Sequence, residues 1–206
     1  MVVTKTFVWA HLPKTAGDTV ATILGMFPEI IEYADPLKSR AKHTPFQKRP
    51  DLVAGRQRVL NIRRLPSWQL SYSMHKSRNG VEPDLVPGPM DSAEEMVAST
   101  TANRILSNHT DAGTVWPDRW IRVEHLVDDV LALLDEHVEV TPKKRKKIQE
   151  MKPKNEGRKY DRSPSAWFTD EMISRMYENN PLWQRAEQLA YSNPAPLAST
   201  GGNHQW

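Results

Sequence analysis

The segment Thr6-Phe7-Val8-Trp9-Ala10-His11-Leu12 is an apolar run without clean alternation, and it ends on Pro13-Lys14-Thr15-Ala16-Gly17. Apolar residues at successive positions suit a strand buried on both faces, as in a parallel sheet. The following stretch, Thr19–Phe27, reads as a helix that stops before Pro28. Strand, tight turn and helix together open an α/β nucleotide-binding fold. A loop in that place aims several backbone N–H groups at one point, and the helix dipole adds partial positive charge there. Gly17 lets a backbone approach an anion closely, and Lys14 adds a full charge. The segment is an anion cradle in physical terms.

The rest of the chain continues the alternation. Strands are predicted at Ile30–Tyr33, Arg58–Arg63 and Trp120–Glu124. Helices are predicted from Ser67 to about His75, from Ser92 to about Ser107, and from His125 to His137. Ser92 with Glu95 has capping-box spacing, and Thr141-Pro142 is a helix start with proline in the first turn. A last helical region covers Thr169–Ala190 with a break at Pro181, while 76–90 reads as a loop. This order predicts a single α/β domain over 1–191, a parallel, doubly wound sheet flanked by helices, and a flexible tail over 192–206.

Composition narrows the function classes. The chain has 206 residues, 26% charged and 38% hydrophobic, which suits one globular domain with a full core. It has no cysteine, so disulfides, thiolate metal sites and cysteine nucleophiles are excluded. No apolar run approaches the roughly 20 residues that span a bilayer. The first residues lack a signal-peptide layout, and a cytoplasmic protein is the expectation. The net charge of +3 suits an anionic ligand without singling one out.

The loop is not an NTPase P-loop, because Lys14 precedes Gly17 and no Gly-Lys-Ser/Thr occurs. The order Pro13-Lys14-Thr15-Ala16-Gly17-Asp18-Thr19 instead resembles the 5′-phosphosulfate-binding loop of sulfotransferases that use 3′-phosphoadenosine 5′-phosphosulfate (PAPS). The likeness extends to Arg63 and Ser71. In that family a strand ends in arginine, a proline-containing turn follows, and a serine stands eight residues after the arginine on a helix. The resemblance implies that Arg63 and Ser71 hold the donor's 3′-phosphate, with Arg64 as a substitute for Arg63. Arginine offers a two-pronged fork for phosphate. Trp120–Asp129 is similar to a third family segment, an apolar strand followed by Glu-Asp-Leu and a helix. Lys152–Tyr160 is similar to a basic loop that closes over the donor, with Arg158 and Lys159 as its cations. The resemblance touches most of residues 6–191 and implies a P-loop-like sulfotransferase fold. Two positions depart from the pattern. Asp18 stands where the family has a hydroxyl, and as a residue type it favours a helix N-cap. The proline, Pro66, falls one position late.

The expected reaction moves a sulfuryl group from PAPS to a hydroxyl and leaves adenosine 3′,5′-bisphosphate. It needs positive charge on the leaving phosphate oxygen, assigned to Lys14, and a base for the acceptor proton. His43, in Lys42-His43-Thr44-Pro45-Phe46, lies in a stretch similar to one that carries a catalytic histidine in some of these enzymes; an ordinary imidazole pKa suits the task. His11 is the second candidate, while His75 and His125 read as surface residues. No His/Asp/Glu spacing suggests a metal. The acceptor is expected to be a carbohydrate, with a small-molecule alcohol, phenol or lipid open, and Trp116 or Trp120 could stack on it. Two rivals stand beside this. One is a kinase or other nucleotide phosphotransferase of related fold. The other is a non-catalytic module binding RNA or another polyanion through Lys143–Lys147, a run that otherwise reads as a solvated helix face.

Overall fold

Side-chain alternation along the strands sets the layers of the protein. The computed structural model describes residues 1–36, 40–80, 91–152 and 160–192. Five strands form one sheet: β1 (Val2–Thr4), β2 (Phe7–Ala10), β3 (Ile31–Ala34), β4 (Gln57–Ile62) and β5 (Arg119–Arg122), in the order β3-β1-β2-β4-β5. Val2, Phe7, Trp9, Val59 and Ile121 join a core on one face. Val3, Val8, Ala10, Leu60 and Ile62 join a core on the other. The first core is covered by α1 (Gly17–Leu24) and α6 (Leu126–Asp135), with α7 (Pro142–Gln149) docked through Ile148. The second is covered by α3 (Leu65–Gly80), α4 (Ala93–Ala98), α5 (Thr101–Thr110), α8 (Asp170–Glu178) and α9 (Pro181–Ser192). A short helix, α2 (Pro50–Val53), precedes β4. Burial of each large side chain in these two layers contributes about 1.5–3 kcal/mol.

The sheet is mixed, which corrects the expectation of parallel pairing throughout. β2 pairs parallel with β4, and β4 parallel with β5. β1 is antiparallel to both β2 and β3, so it alone opposes the other four. Val2–Thr4 is too short to show a strand pattern in sequence. What makes it one is the reversal at Lys5-Thr6. There the Thr4 hydroxyl donates to the Phe7 carbonyl at 2.9 Å, and its oxygen accepts the Phe7 N–H at 2.9 Å.

Helix boundaries also shift. α3 begins at Leu65 and runs through 76–80, where a loop is expected. The predicted helix over 92–107 is two helices that break at Ser99-Thr100. Its capping box is as expected: Ser92 Oγ accepts the Glu95 N–H, and Glu95 Oε2 accepts the Ser92 N–H. The break at Pro181 separates α8 from α9. The predicted tail lies, from residue 193 onward, outside the described residues. Among the described residues no helix is long and apolar enough to cross a membrane.

Candidate functional site

Chain order across the sheet locates a crevice. From β2 the chain passes through α1 to β3, on one side. From β4 it passes through α3–α5 to β5, on the other. Connections therefore diverge between the neighbouring parallel strands β2 and β4, and open α/β sheets bind ligands at such switch points, outside the carboxyl ends of the strands. Ala10 lies beside Leu60 in register, so the β2–α1 and β4–α3 turns leave the sheet side by side, on strands about 4.8 Å apart.

The β2–α1 turn is held by its carbonyl oxygens. Thr15 Oγ1 donates to the Leu12 carbonyl at 2.7 Å, and Trp68 Nε1 donates to the Pro13 carbonyl at 2.8 Å. Asn61 Nδ2 donates to the Thr15 carbonyl at 2.7 Å, and Trp9 Nε1 in turn donates to Asn61 Oδ1 at 2.6 Å. The Ala16 carbonyl accepts the N–H groups of Thr19 and Val20. In a trans peptide the N–H points opposite to the carbonyl. Tying the Pro13, Thr15 and Ala16 carbonyls inward therefore turns the N–H groups of Lys14, Ala16 and Gly17 the other way. Lys14 and Ala16 both adopt left-handed backbone, at φ 65° and 56°. Such non-glycine residues cost of order 1–3 kcal/mol and cluster at functional sites. Alternating turn conformations of this kind build a concave nest of N–H groups for an anion.

Two sequence expectations about this loop change. Asp18 does not cap α1. Ala16 occupies the cap position and has no side chain with which to do so, while Asp18 is the second helical residue. Its Oδ1 accepts from Lys42 Nζ at 2.8 Å. Gly17 is required by protein packing as well, because a Cβ there would lie 1.8 Å from His11 Nδ1. Thr15 and Thr19 are buried, with the Thr15 hydroxyl engaged inside the loop, so neither presents an open side chain. Lys14 is half-buried.

His43 sits against this loop. Its Nδ1 is 3.2 Å from the His11 carbonyl, and the two rings tilt together at 4.4 Å between centroids. A carbonyl partner requires the proton on Nδ1, which leaves Nε2 with the lone pair of a base. Burial pulls the His43 pKa below its ordinary value, so the ring is neutral near pH 7. His11 is more deeply enclosed. It stacks on Trp9 at 5.1 Å, and burial followed by His43 holds its pKa well down. His109 adds a third buried ring near His43, lowered in the same way. The second base candidate, His11, thus has a packing role. His75 and His125 are exposed.

The β4–α3 turn is held mainly by its N–H groups, with one of its carbonyls also engaged. Glu124 Oε1 accepts the Arg64 N–H at 3.1 Å, and Glu187 Oε1 accepts the Leu65 N–H at 2.6 Å. Glu187 is buried and also accepts from Arg64 Nη1 at 3.1 Å and the Tyr177 hydroxyl at 3.0 Å. Burial raises its pKa in spite of these donors. Arg64 lies over the Tyr191 ring at 3.7 Å, and the Tyr191 hydroxyl donates to Glu124. Arg64 is therefore committed to the protein. Arg63 is the guanidinium that remains: its Nε is enclosed and has no hydrogen-bond partner among the described residues. Burial lowers its pKa, with Glu124, Tyr160, Arg162 and Tyr191 around it. Trp183 Nε1 donates to the Arg63 carbonyl at 3.0 Å. Ser71 lies buried in the second turn of α3.

The structure thus sets His43 against the loop that carries Lys14, through His11, and places Arg63 at the adjacent strand end. Arg158 and Lys159 lie outside the described residues. Sequence reasoning missed the two indoles. Trp68 and Trp183 pack at 4.9 Å, and each donates to one of the two turns. Asn61 was legible in principle, as one amide in an otherwise apolar strand. Trp116 and Trp120 meet at 6.3 Å, half-buried against the core, with Trp120 two residues before the end of β5. Three of the five cations of the basic run on α7 face carboxylates: Lys144 reaches Glu29, Arg145 reaches Asp135, and Lys146 faces Glu150. Among the described residues no three His, Asp or Glu side chains converge as metal ligands would. Comparison with protein-family models, with curated proteins and with solved structures returns no match.

Proposed function

We propose that this protein is a cytoplasmic PAPS-dependent sulfotransferase acting on a hydroxyl acceptor, with a carbohydrate as the first acceptor class to test. One observation carries the reading. An N–H nest bearing Lys14 and an arginine whose enclosed Nε has no partner among the described residues stand at the ends of neighbouring parallel strands, at the switch point of the sheet. That pairing suits a ligand with phosphate groups at two ends. In the proposed step the acceptor oxygen forms a bond to sulfur as the bond from sulfur to the bridging phosphate oxygen breaks. His43 Nε2 takes the acceptor proton, and Lys14 faces the charge on the leaving oxygen. Arg63 and Ser71 anchor the 3′-phosphate. The polyanion-binding alternative draws less support, because three of the five cations on α7 already face carboxylates of this chain.

Thermal unfolding with adenosine 3′,5′-bisphosphate or with Mg·ATP tests this directly. A ligand at a hundred times its Kd stabilises by about 2.7 kcal/mol, or about 5–10 °C in a chain of this size. That shift is expected with the bisphosphate. A shift with Mg·ATP alone would favour a phosphotransferase. Lys14→Ala is expected to lower kcat about a hundredfold in a labelled-PAPS assay, the usual scale for losing a group that stabilises developing charge. Wild-type turnover in that variant would remove Lys14 from the step.

A further inference from the structure

Asp18 is the residue with which the functional reading has most difficulty, since it puts a carboxylate in the first turn of α1, where a phosphate would sit. Its surroundings give it a different task. Asp18 Oδ1 accepts Lys42 Nζ at 2.8 Å, and both side chains are only partly exposed. Lys42 immediately precedes His43, and both belong to one short 3-10 turn, Arg40–His43. His43 makes the second contact, through Nδ1 to the His11 carbonyl at 3.2 Å and ring to ring at 4.4 Å. Two consecutive side chains thus grip the β2–α1 loop at points on either side of Lys14. The Met1 amino group also donates to the Lys42 carbonyl at 3.2 Å and ties the turn's backbone to β1; the two side-chain contacts set how the turn faces the loop. The pairing also sets a cation against Asp18 and offsets the charge that a phosphate would meet.

We propose that the Asp18–Lys42 ion pair is a positioning tether that holds the His43-bearing turn on the anion loop. In its catalytic consequence this rests on the function proposed above. Asp18 is then a positioning residue for the base, and a carboxylate serves there because a hydroxyl carries no charge to pair with Lys42.

The variants are Asp18→Ser, Lys42→Met, the double variant, and Lys42→Arg, which keeps a charge that can reach Asp18. The first readout is the ligand-free titration of the His43 ring by NMR, assigned with His43→Gln. The groups facing that ring are His11, His109, Lys42, Asp18 and the Met1 amino group. Removing Asp18 without movement takes away a nearby negative charge and lowers the His43 pKa further. Releasing the turn exposes the ring and raises it toward its ordinary value of about 6.5. A rise in Asp18→Ser is expected, and a fall overturns the tether. The second readout is kinetic. Each single variant is expected to lose about fivefold in kcat, the upper range for a partly exposed ion pair, with the Kd for adenosine 3′,5′-bisphosphate changed less than twofold. The double variant is expected to be no slower than either single, and Lys42→Arg to stay near wild type. Tighter bisphosphate binding with unchanged kcat in Asp18→Ser overturns the proposal, because Asp18 is then only a repelling charge. Losses that multiply in the double variant overturn it too. If no variant, wild type included, transfers sulfate or binds the bisphosphate, the function fails, and the His43 titration still decides the tether.

Discussion

The turns after β2 and β4 leave neighbouring parallel strands at the same edge of the sheet, yet they are built in opposite senses. In the β2–α1 turn the protein supplies donors, Trp68 Nε1 and Asn61 Nδ2, which bind carbonyl oxygens and turn N–H groups outward. In the β4–α3 turn one donor, Trp183 Nε1, binds the Arg63 carbonyl, but two acceptors, Glu124 and Glu187, consume the N–H groups at the start of α3. The first turn makes positive potential from its backbone. The second has spent its backbone and relies on the Arg63 side chain. A βα turn is thus not an anion site by position alone. Its character follows from whether the neighbours present donors or acceptors to its peptide groups.

Removing the acceptors should break the comparison most severely. Glu187→Ala leaves the Leu65 N–H and the Tyr177 hydroxyl without their carboxylate, and each buried donor left unsatisfied costs about 1–3 kcal/mol. A loss of about 3 kcal/mol is expected from urea unfolding. Glu187→Gln keeps the volume and one carbonyl oxygen and should lose about 1 kcal/mol. Equal losses in the two variants would mean that filled space, not the acceptor, holds the turn.

On the other turn, Gly17→Ala forces a methyl group into the His11 ring, and overpacking of this kind costs about 1–3 kcal/mol. The loss should appear without any ligand, and His11→Ala should recover part of it. Full stability in Gly17→Ala alone would show that the ring yields freely. The indoles come next. Trp68→Phe and Trp183→Phe each keep a ring but remove one N–H from a turn carbonyl, at about 1 kcal/mol apiece. Because the two rings touch, a double variant should depart from additivity. Hydrogen exchange in Trp68→Phe should rise at residues 14–17 before it rises at 64 and 65.

How much of this was legible in sequence follows from range. The β2–α1 unit and the Arg63 strand end were readable because burial on both faces and a proline- or glycine-marked turn are local signals. β1 was not readable, because a three-residue strand becomes one only through its partners on both sides. The capping box at Ser92 is local and was readable; the break at Ser99 was not, since Asn180, brought in from α8–α9, accepts and donates there across the chain. Asp18 shows the limit most clearly. As a residue type it favours a helix cap, yet its partner Lys42 lies 24 positions away. The acceptors Glu124 and Glu187 are likewise remote from the turn they hold, so the contrast between the two turns exists only in three dimensions.

Acid should separate the turns with the smallest effect and the clearest sign. Beside β2–α1, the pKa values of His11, His43 and His109 are lowered, in each case mainly by burial. A histidine whose folded value lies below its unfolded value near 6.5 binds a proton more readily when the chain unfolds. Its contribution is present above about pH 6.5 and is lost as pH falls through the folded value. Beside β4–α3, Glu187 is raised by burial. Its contribution is full below the unfolded carboxylate value of about 4.3 and is lost as pH rises through the folded one. Stability measured by urea unfolding between pH 4.5 and 7.5 should therefore show opposite slopes in two difference curves. His11→Asn minus wild type should fall with rising pH, because the variant lacks what the wild type gains. Glu187→Gln minus wild type should rise, because the variant lacks what the wild type loses. Slopes of the same sign would mean that the two turns do not carry opposite electrostatic burdens, and the division between a backbone-built and a side-chain-built anion site would lose its energetic basis.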